Sequence, residues 1–168
     1  MSFVEIDILK EQINPFEKIG KEWFLVTAGN MEKFNTMTAS WGFMGVIWNK
    51  NCAVTVVRPE RYTMEFIDNS EYFTMSFFGE DCRDALKFCG AYSGRDCDKM
   101  EKTGLIPVEM DKGIGYEQAE MVLVCKKLYA QQMNEESFVA KDVCDTYYKT
   151  EGFHVAYYGE VVKAFVKK

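Results

Sequence analysis

The runs able to form strands constrain this chain more than any other feature: they are short, roughly six in number, and not separated by regular helices. Cys52 to Val57 (CAVTVV) is β-branched and almost wholly apolar, the pattern of a strand covered on both faces. It stops at Arg58-Pro59, because proline cannot donate to a central ladder. Trp23 to Ala28 (WFLVTA) ends at the turn signal Gly29-Asn30, and Asn35 to Phe43 then alternates small polar with apolar residues. Glu71 to Phe78 (EYFTMSFF), Ala119 to Tyr129 and Phe153 to Val166 complete the set, with Gly159 placed for a bulge. Helical spacing is brief. Tyr62 and Phe66 are four apart, Met64 and Ile67 three apart, with Pro59 or Thr63 as the start. Asp81 can cap a helix that puts Cys82, Leu86 and Cys89 near one face, and another short helix is predicted from Asp96 to Lys102, stopping at Gly104. The predicted class is mainly β, an antiparallel six-stranded barrel with short inserted helices, and not a Rossmann sheet.

No repeat, low-complexity run or linker interrupts the sequence, and its three prolines lie far apart, so residues 1–168 are read as one domain. A chain of this length buries roughly 70% of the surface exposed by its unfolded form, enough for a core without a disulfide or structural metal. With 20 basic against 26 acidic residues, nothing global draws in nucleic acid or anionic lipid. No stretch approaches the ~18 consecutive apolar residues of a membrane span. The opening MSFVEIDILKEQINPFEK is too charged for the apolar segment of a signal peptide, so the expected location is the cytoplasm. The six cysteines (Cys52, Cys82, Cys89, Cys97, Cys125 and Cys144) show no C-x-x-C spacing and are read as free thiols. No metal site is expected, and a Ser-His-Asp or Cys-His hydrolase would depend on one ring, His154.

Two segments stand out chemically. Asn35-Thr36-Met37-Thr38-Ala39-Ser40-Trp41-Gly42 strings small hydroxyl and amide side chains along a strand. Alternation sends Thr36, Thr38 and Ser40 to one face, and Gly42 permits close approach of a ligand or a second backbone. The segment can line a pocket, and it can equally be a polar strand face turned to solvent. Val57-Arg58-Pro59-Glu60-Arg61-Tyr62-Thr63 puts two arginines and a threonine at a strand-to-helix junction. Guanidinium forks and helix-start N-H groups suit a phosphate; a surface arginine pair beside Glu60 and Glu65 is the plainer alternative. The glycines of Gly113-Ile114-Gly115 lack both the third member and the setting of a G-x-G-x-x-G fingerprint.

Together, NTMTASWG, VRPERYT, EYFTMSFF, Tyr92-Ser93-Gly94-Arg95-Asp96-Cys97-Asp98-Lys99 with Thr103-Gly104-Leu105, and Phe153-His154-Val155-Ala156-Tyr157-Tyr158-Gly159 resemble the flavin reductase-like family of FMN-binding split barrels, in particular its flavoredoxin-like members. The match runs in order over nearly the whole chain. It implies a six-stranded antiparallel split barrel, a homodimer, and FMN in a groove at the subunit interface. By this resemblance Asn35, Thr36, Met37, Thr38, Ala39, Ser40 and Trp41 form the strand beside the flavin ring and ribityl chain, through backbone amides and the hydroxyls of Thr36, Thr38 and Ser40. Arg58, Arg61 and Thr63 take the phosphate end. Ser93, Gly94 and Lys99 match a segment near the flavin, and His154 a residue placed near the flavin or on the substrate side.

A flavin carries hydride itself, which suits a chain with one histidine and no evident acid, base or nucleophile. Trp41 could stack on the ring or fill a core or dimer interface. The expected function is an FMN-dependent oxidoreductase that takes electrons from NADH or NADPH, bound transiently, and passes them to flavin or a similar small acceptor. The alternatives are a flavoredoxin-like carrier reduced by a protein partner, and a non-enzymatic barrel whose aromatic groove holds another ligand. The aromatic fraction, 15%, is more than a small barrel core must hold and supports the homodimer.

Overall fold

The computed structural model describes residues 2–168. Ten strands run β1 (Phe3–Ile6), β2 (Phe24–Asn30), β3 (Lys33–Ala39), β4 (Gly42–Ile47), β5 (Lys50–Val57), β6 (Tyr72–Phe77), β7 (Pro107–Met110), β8 (Gly113–Tyr116), β9 (Met121–Gln132) and β10 (Val155–Lys167). Five short helices interrupt them: α1 (Pro15–Glu17), α2 (Tyr62–Asp68), α3 (Arg83–Ala91), α4 (Lys99–Thr103) and α5 (Lys141–Tyr148). Eight strands form one antiparallel sheet in the order β3-β2-β6-β9-β10-β5-β4, with β1 also on β10. Strands β7 and β8 form a separate hairpin.

The sheet rolls up because residues from strands far apart in its order bury into one cluster. Val26 of β2, Met37 and Ala39 of β3, Ala53 and Val57 of β5, Phe73 of β6, Leu123 of β9 and Tyr157 of β10 share it. A flat sheet could not bring the β3 edge and β5 to the same core. Each of the larger apolar side chains, Val, Leu, Met and Phe, stabilises the fold by roughly 1.5–3 kcal/mol. The opposite face of β2 and β9 packs, through Leu25, Val122 and Val124, under α3 and the β7–β8 hairpin.

Strand β10 serves two partners on one edge: Val155 to Glu160 pair with β5, and Ala164 to Lys167 with β1. The register on β9 shifts between Tyr158 and Gly159, the predicted bulge. A Cβ at Gly159 would lie 2.6 Å from the Cβ of Cys125 and 2.7 Å from the Phe73 ring, so the bend needs glycine.

The mainly β, antiparallel reading holds, but six strands is too few. The run from Asn35 to Phe43 is broken at Ser40-Trp41 into β3 and β4. At Gly42 a Cβ would sit 2.2 Å from the Val54 carbonyl oxygen, so the close approach predicted there is made by the β5 backbone. Strands β1, β7 and β8 are four residues each, below what periodicity resolves.

The helix boundaries need correction too. Helix α2 starts after Arg61, not at Pro59 or Thr63. Asp81 lies in a 3-10 turn before α3 and caps nothing, although Cys82, Leu86 and Cys89 do share one buried cluster. Helix α4 begins at Lys99, not Asp96, because the Asp98 carboxylate accepts the N-H groups of Met100 and Glu101. It ends at Gly104, which is left-handed with φ 70°.

Candidate functional site

Two adjoining cavities open where β3, the β5–α2 junction, the α3–α4 loop and the start of β10 converge. One, about 250 Å³, is lined by Asn35, Met37, Arg58, Arg61, Thr63, Ser93, Gly94 and Lys99, with Glu60, Tyr62 and Glu151 among the rest. The second, about 220 Å³, is lined by Met37, Thr38, Ala39, Ser40, Trp41, Val56, Arg58, Arg61 and His154. Met37, Arg58 and Arg61 belong to both, making one groove. It gathers every residue that the resemblance places near the flavin, His154 included, except Thr36. A larger cavity of about 470 Å³, lined by Lys33, Tyr62, Glu65, Phe66 and Lys112 among others, includes no glycine-rich loop or buried charge.

Thr36 must be reassigned. Its side chain is 1% exposed, and its hydroxyl donates to the Val26 carbonyl and lies 2.9 Å from the Thr27 hydroxyl, which also meets the Tyr116 phenol. Alternation does put Thr36 and Thr38 on one face of β3, but that face is turned toward the second core. The Thr38 hydroxyl donates to the Leu86 carbonyl of α3. The Thr36 and Thr38 hydroxyls are therefore bound within the fold, whereas Ser40, just past β3, lines the groove together with Asn35, Met37, Thr38 and Ala39 of the strand.

At one end of the groove the Asn35 amide donates to the Thr63 hydroxyl at 2.8 Å, tying β3 to α2. Gly94 sits directly against it: a Cβ there would be 2.1 Å from the Asn35 side-chain oxygen. Lys99, 6% exposed, donates to the carbonyls of Thr36 at 2.7 Å and Cys89 at 2.9 Å. Burial lowers its pKa, and Arg61 adds to that. Arg61 donates to the Gly90 carbonyl. Neither cation has a carboxylate within 4.0 Å among the described residues. An ammonium has three donors, and two are used here, so capacity for an anion remains.

Arg58 behaves differently from the free phosphate fork expected of it. Its guanidinium donates to the carbonyls of Tyr147 and Gly152, pairs with Glu151 at 2.8 Å and lies 5.5 Å from the centre of the Tyr148 ring. It fastens the end of α5 over the groove. That segment escaped the sequence reading, although Val143 with Tyr147, and Cys144 with Tyr148, carry the four-residue spacing of a helix.

Trp41 is neither core filler nor free: it is 41% exposed, edge-on to Tyr147 at 5.0 Å and tilted to His154 at 5.2 Å. His154 is 7% exposed, with Nδ1 2.8 Å from the Tyr148 hydroxyl. Burial, and then the nearby Arg58, push its pKa down to about 4 against the weaker opposing pull of Glu60. The ring is neutral at pH 7. All six cysteines are unpaired, five of them buried, and burial pushes the Cys89 thiol up to about 11. Among the described residues no group of three or more His, Cys, Asp or Glu side chains could hold a metal ion.

The fold is a rolled antiparallel sheet with a cationic, aromatic-walled groove at one end. Residues 16–167 match the flavin reductase like domain, and the chain belongs to that family. Similar solved structures include an FMN-binding domain of a flavin reductases-like enzyme from Shewanella baltica, with 17% identity, TM-score 0.70, and coverage of 98% of this chain and 77% of that one. The flavoredoxin of Desulfovibrio vulgaris is 20% identical with TM-score 0.67, over 87% of this chain and 69% of its own. A Streptomyces globisporus NADH:FAD oxidoreductase, in complex with NAD and FAD fragments, is 15% identical with TM-score 0.64, over 87% and 74%. At these identities the likeness is one of fold. No curated protein matches the chain.

Proposed function

We propose that the groove binds FMN and that the protein is an oxidoreductase which accepts electrons from NADH or NADPH and delivers them to flavin or a similar small acceptor. The observation carrying this reading is the pair of cations, Arg61 and buried Lys99, that face one end of the groove without a carboxylate partner. Burying a charge uncompensated is costly, so an anionic group there fits the donor set better than a neutral one. The S. baltica and S. globisporus structures, named for FMN binding and for NADH:FAD oxidoreductase activity, support the same assignment.

Arg61 and Lys99 would hold the phosphate, with Asn35, Thr63, Ser93 and Gly94 shaping the space around it. Met37, Ala39, Ser40 and Trp41 would line the ring end. Bound FMN supplies hydride and electron transfer, and the protein's tasks are to hold it, keep water off it and admit a second reactant. Trp41 and Tyr147 screen the groove mouth, and His154 offers a neutral polar contact. No helix among the described residues is long and apolar enough to cross a membrane. We place the protein in the cytoplasm, where six unpaired thiols persist.

The purified protein, loaded with FMN, is expected to show a flavin visible spectrum and to oxidise NADH or NADPH in steady state. Arg61→Ala should weaken FMN by about 10- to 100-fold while sparing riboflavin, since a charge-assisted hydrogen bond contributes roughly 1.5–3 kcal/mol. Equal losses for both flavins would remove Arg61 from the phosphate. Tight FMN binding without any NAD(P)H oxidation would instead favour a carrier reduced by a protein partner, the reading consistent with the likeness to flavoredoxin.

A further inference from the structure

We propose that Tyr148 is a positioning residue: it holds His154 as the Nε2-H tautomer, so that one neutral hydrogen-bond donor faces the groove beside Trp41 and selects a ligand offering a carbonyl oxygen or ring nitrogen there. The ligand half of this proposal rests on the flavin-binding reading above; the tautomer half does not.

The tautomer follows from counting hydrogens. A neutral imidazole has one N-H and one acceptor nitrogen, and a phenol has a single hydrogen to give. The Tyr148 hydroxyl has two neighbours, His154 Nδ1 at 2.8 Å and Met133 Sδ at 3.5 Å. A thioether sulfur is a weak acceptor and an imidazole nitrogen a strong one, so the hydroxyl donates to Nδ1. The ring proton then sits on Nε2. Burial raises the pKa of Tyr148, which keeps the hydroxyl protonated and able to donate.

Nε2 opens onto the groove. It has no hydrogen-bond partner within the chain, yet the buried polar side-chain atoms without one, among the described residues, are Thr55 Oγ1 and Ser76 Oγ. The Nε2 edge is therefore not sealed in protein, and the ring lines the second cavity. The charged groups facing this ring are Arg58 at the end of β5, with Glu60 and Arg61 just before α2. Two cations against one carboxylate oppose an imidazolium, so what meets the ligand is a neutral donor.

Tyr148 is fixed well enough to do this. Its ring stacks on Phe153 at 4.8 Å and 21°, packs against Phe138 at 5.5 Å, and lies under the Arg58 guanidinium. Arg58 in turn holds the carbonyls of Tyr147 and Gly152 on either side.

The chain has one histidine, so the test reads a single imidazole. Long-range proton–nitrogen correlation spectra of protein labelled with 15N-histidine, at pH 7 and without flavin, should show a protonated Nε2 and an unprotonated Nδ1. Tyr148→Phe should convert this to a mixture or to the opposite tautomer, and Met133→Leu should leave it unchanged. A protonated Nδ1 in the unmodified protein, or a tautomer indifferent to Tyr148→Phe, overturns the proposal. Should Tyr148→Phe fail to fold, the unmodified spectrum alone still decides the sign.

Riboflavin, which lacks the phosphate, probes the ligand half. Tyr148→Phe and His154→Ala should each weaken riboflavin and FMN by the same factor, about 3- to 10-fold, as expected for one neutral hydrogen bond. Unchanged riboflavin affinity in both variants overturns the selection of a carbonyl or ring nitrogen. If the protein binds no flavin but shows the tautomer and its dependence on Tyr148, the proposed function fails and the positioning role stands.

Discussion

His154 shows how little a residue's type says about its charge. Free histidine titrates near 6.5, but burial beside Arg58 and Arg61 puts this one near 4 in the folded chain. Between those values the unfolded chain binds more protons than the folded one, so stability is fully present above about pH 6.5 and falls as pH drops toward 4. Replacing the ring with a group that does not titrate removes that loss. His154→Gln should therefore narrow the gap between urea midpoints measured at pH 7 and pH 4.5. An unchanged gap would mean that other groups govern the acid limb. The same scale explains why Thr36 was misread: its hydroxyl has acceptors within reach in Val26 and Thr27, and no spacing in the sequence reveals which face of a strand is already satisfied.

Helix α5 is the element with least to hold it by its own propensity. It has no side-chain N-cap, and of its eight residues only Cys144 is buried. Eight residues are too few for an isolated helix to be stable in water. Its docking depends on Arg58, whose hydrogen bonds and ion pair gather Tyr147, Gly152 and Glu151. Arg58→Ala is expected to speed backbone amide exchange in residues 141–152 by about tenfold, equivalent to ~1.4 kcal/mol, and to leave β5 and β10 protected. Exchange that does not change in α5 would show that the aromatic contacts of Tyr147 and Tyr148 suffice to hold it. By contrast, α2 was legible in the spacing of Tyr62 with Phe66 and of Met64 with Ile67, and α4 in the glycine that ends it, Gly104.

At the scale of the whole molecule, one stretch of the chain concentrates exposed apolar side chains. Phe43, Val46 and Ile47 lie on β4, at the end of the sheet order, and Trp48, in the turn that follows it, packs with Tyr129 and Tyr158 into an aromatic cluster at 6.0 and 6.1 Å. An edge strand with apolar side chains facing water invites a second chain. We propose a homodimer that covers this face. The protein should sediment as a dimer at micromolar concentration, and Trp48→Glu should raise the dissociation constant at least tenfold. A monomer at that concentration, or a variant that dimerises as well as the parent, would assign the aromatic surface to something else.

What the sequence determined by itself was local: the strand runs, the bulge at Gly159, the close approach at Gly42, and the residue types able to hold an anion. These follow from short-range rules, in which β-branched runs extend, proline ends a ladder and glycine admits a neighbouring backbone. Tertiary structure decided the rest. Rolling the sheet brought Asn35 to Thr63 across 28 residues and Lys99 to the Thr36 carbonyl across 63, while Arg58 reached Tyr147 across 89. Which hydroxyls face a ligand, which arginine is already engaged, and which histidine nitrogen is left open depend on partners that meet only when the chain closes, because a hydrogen-bonding group can be spent once and nearby residues in sequence do not reveal where.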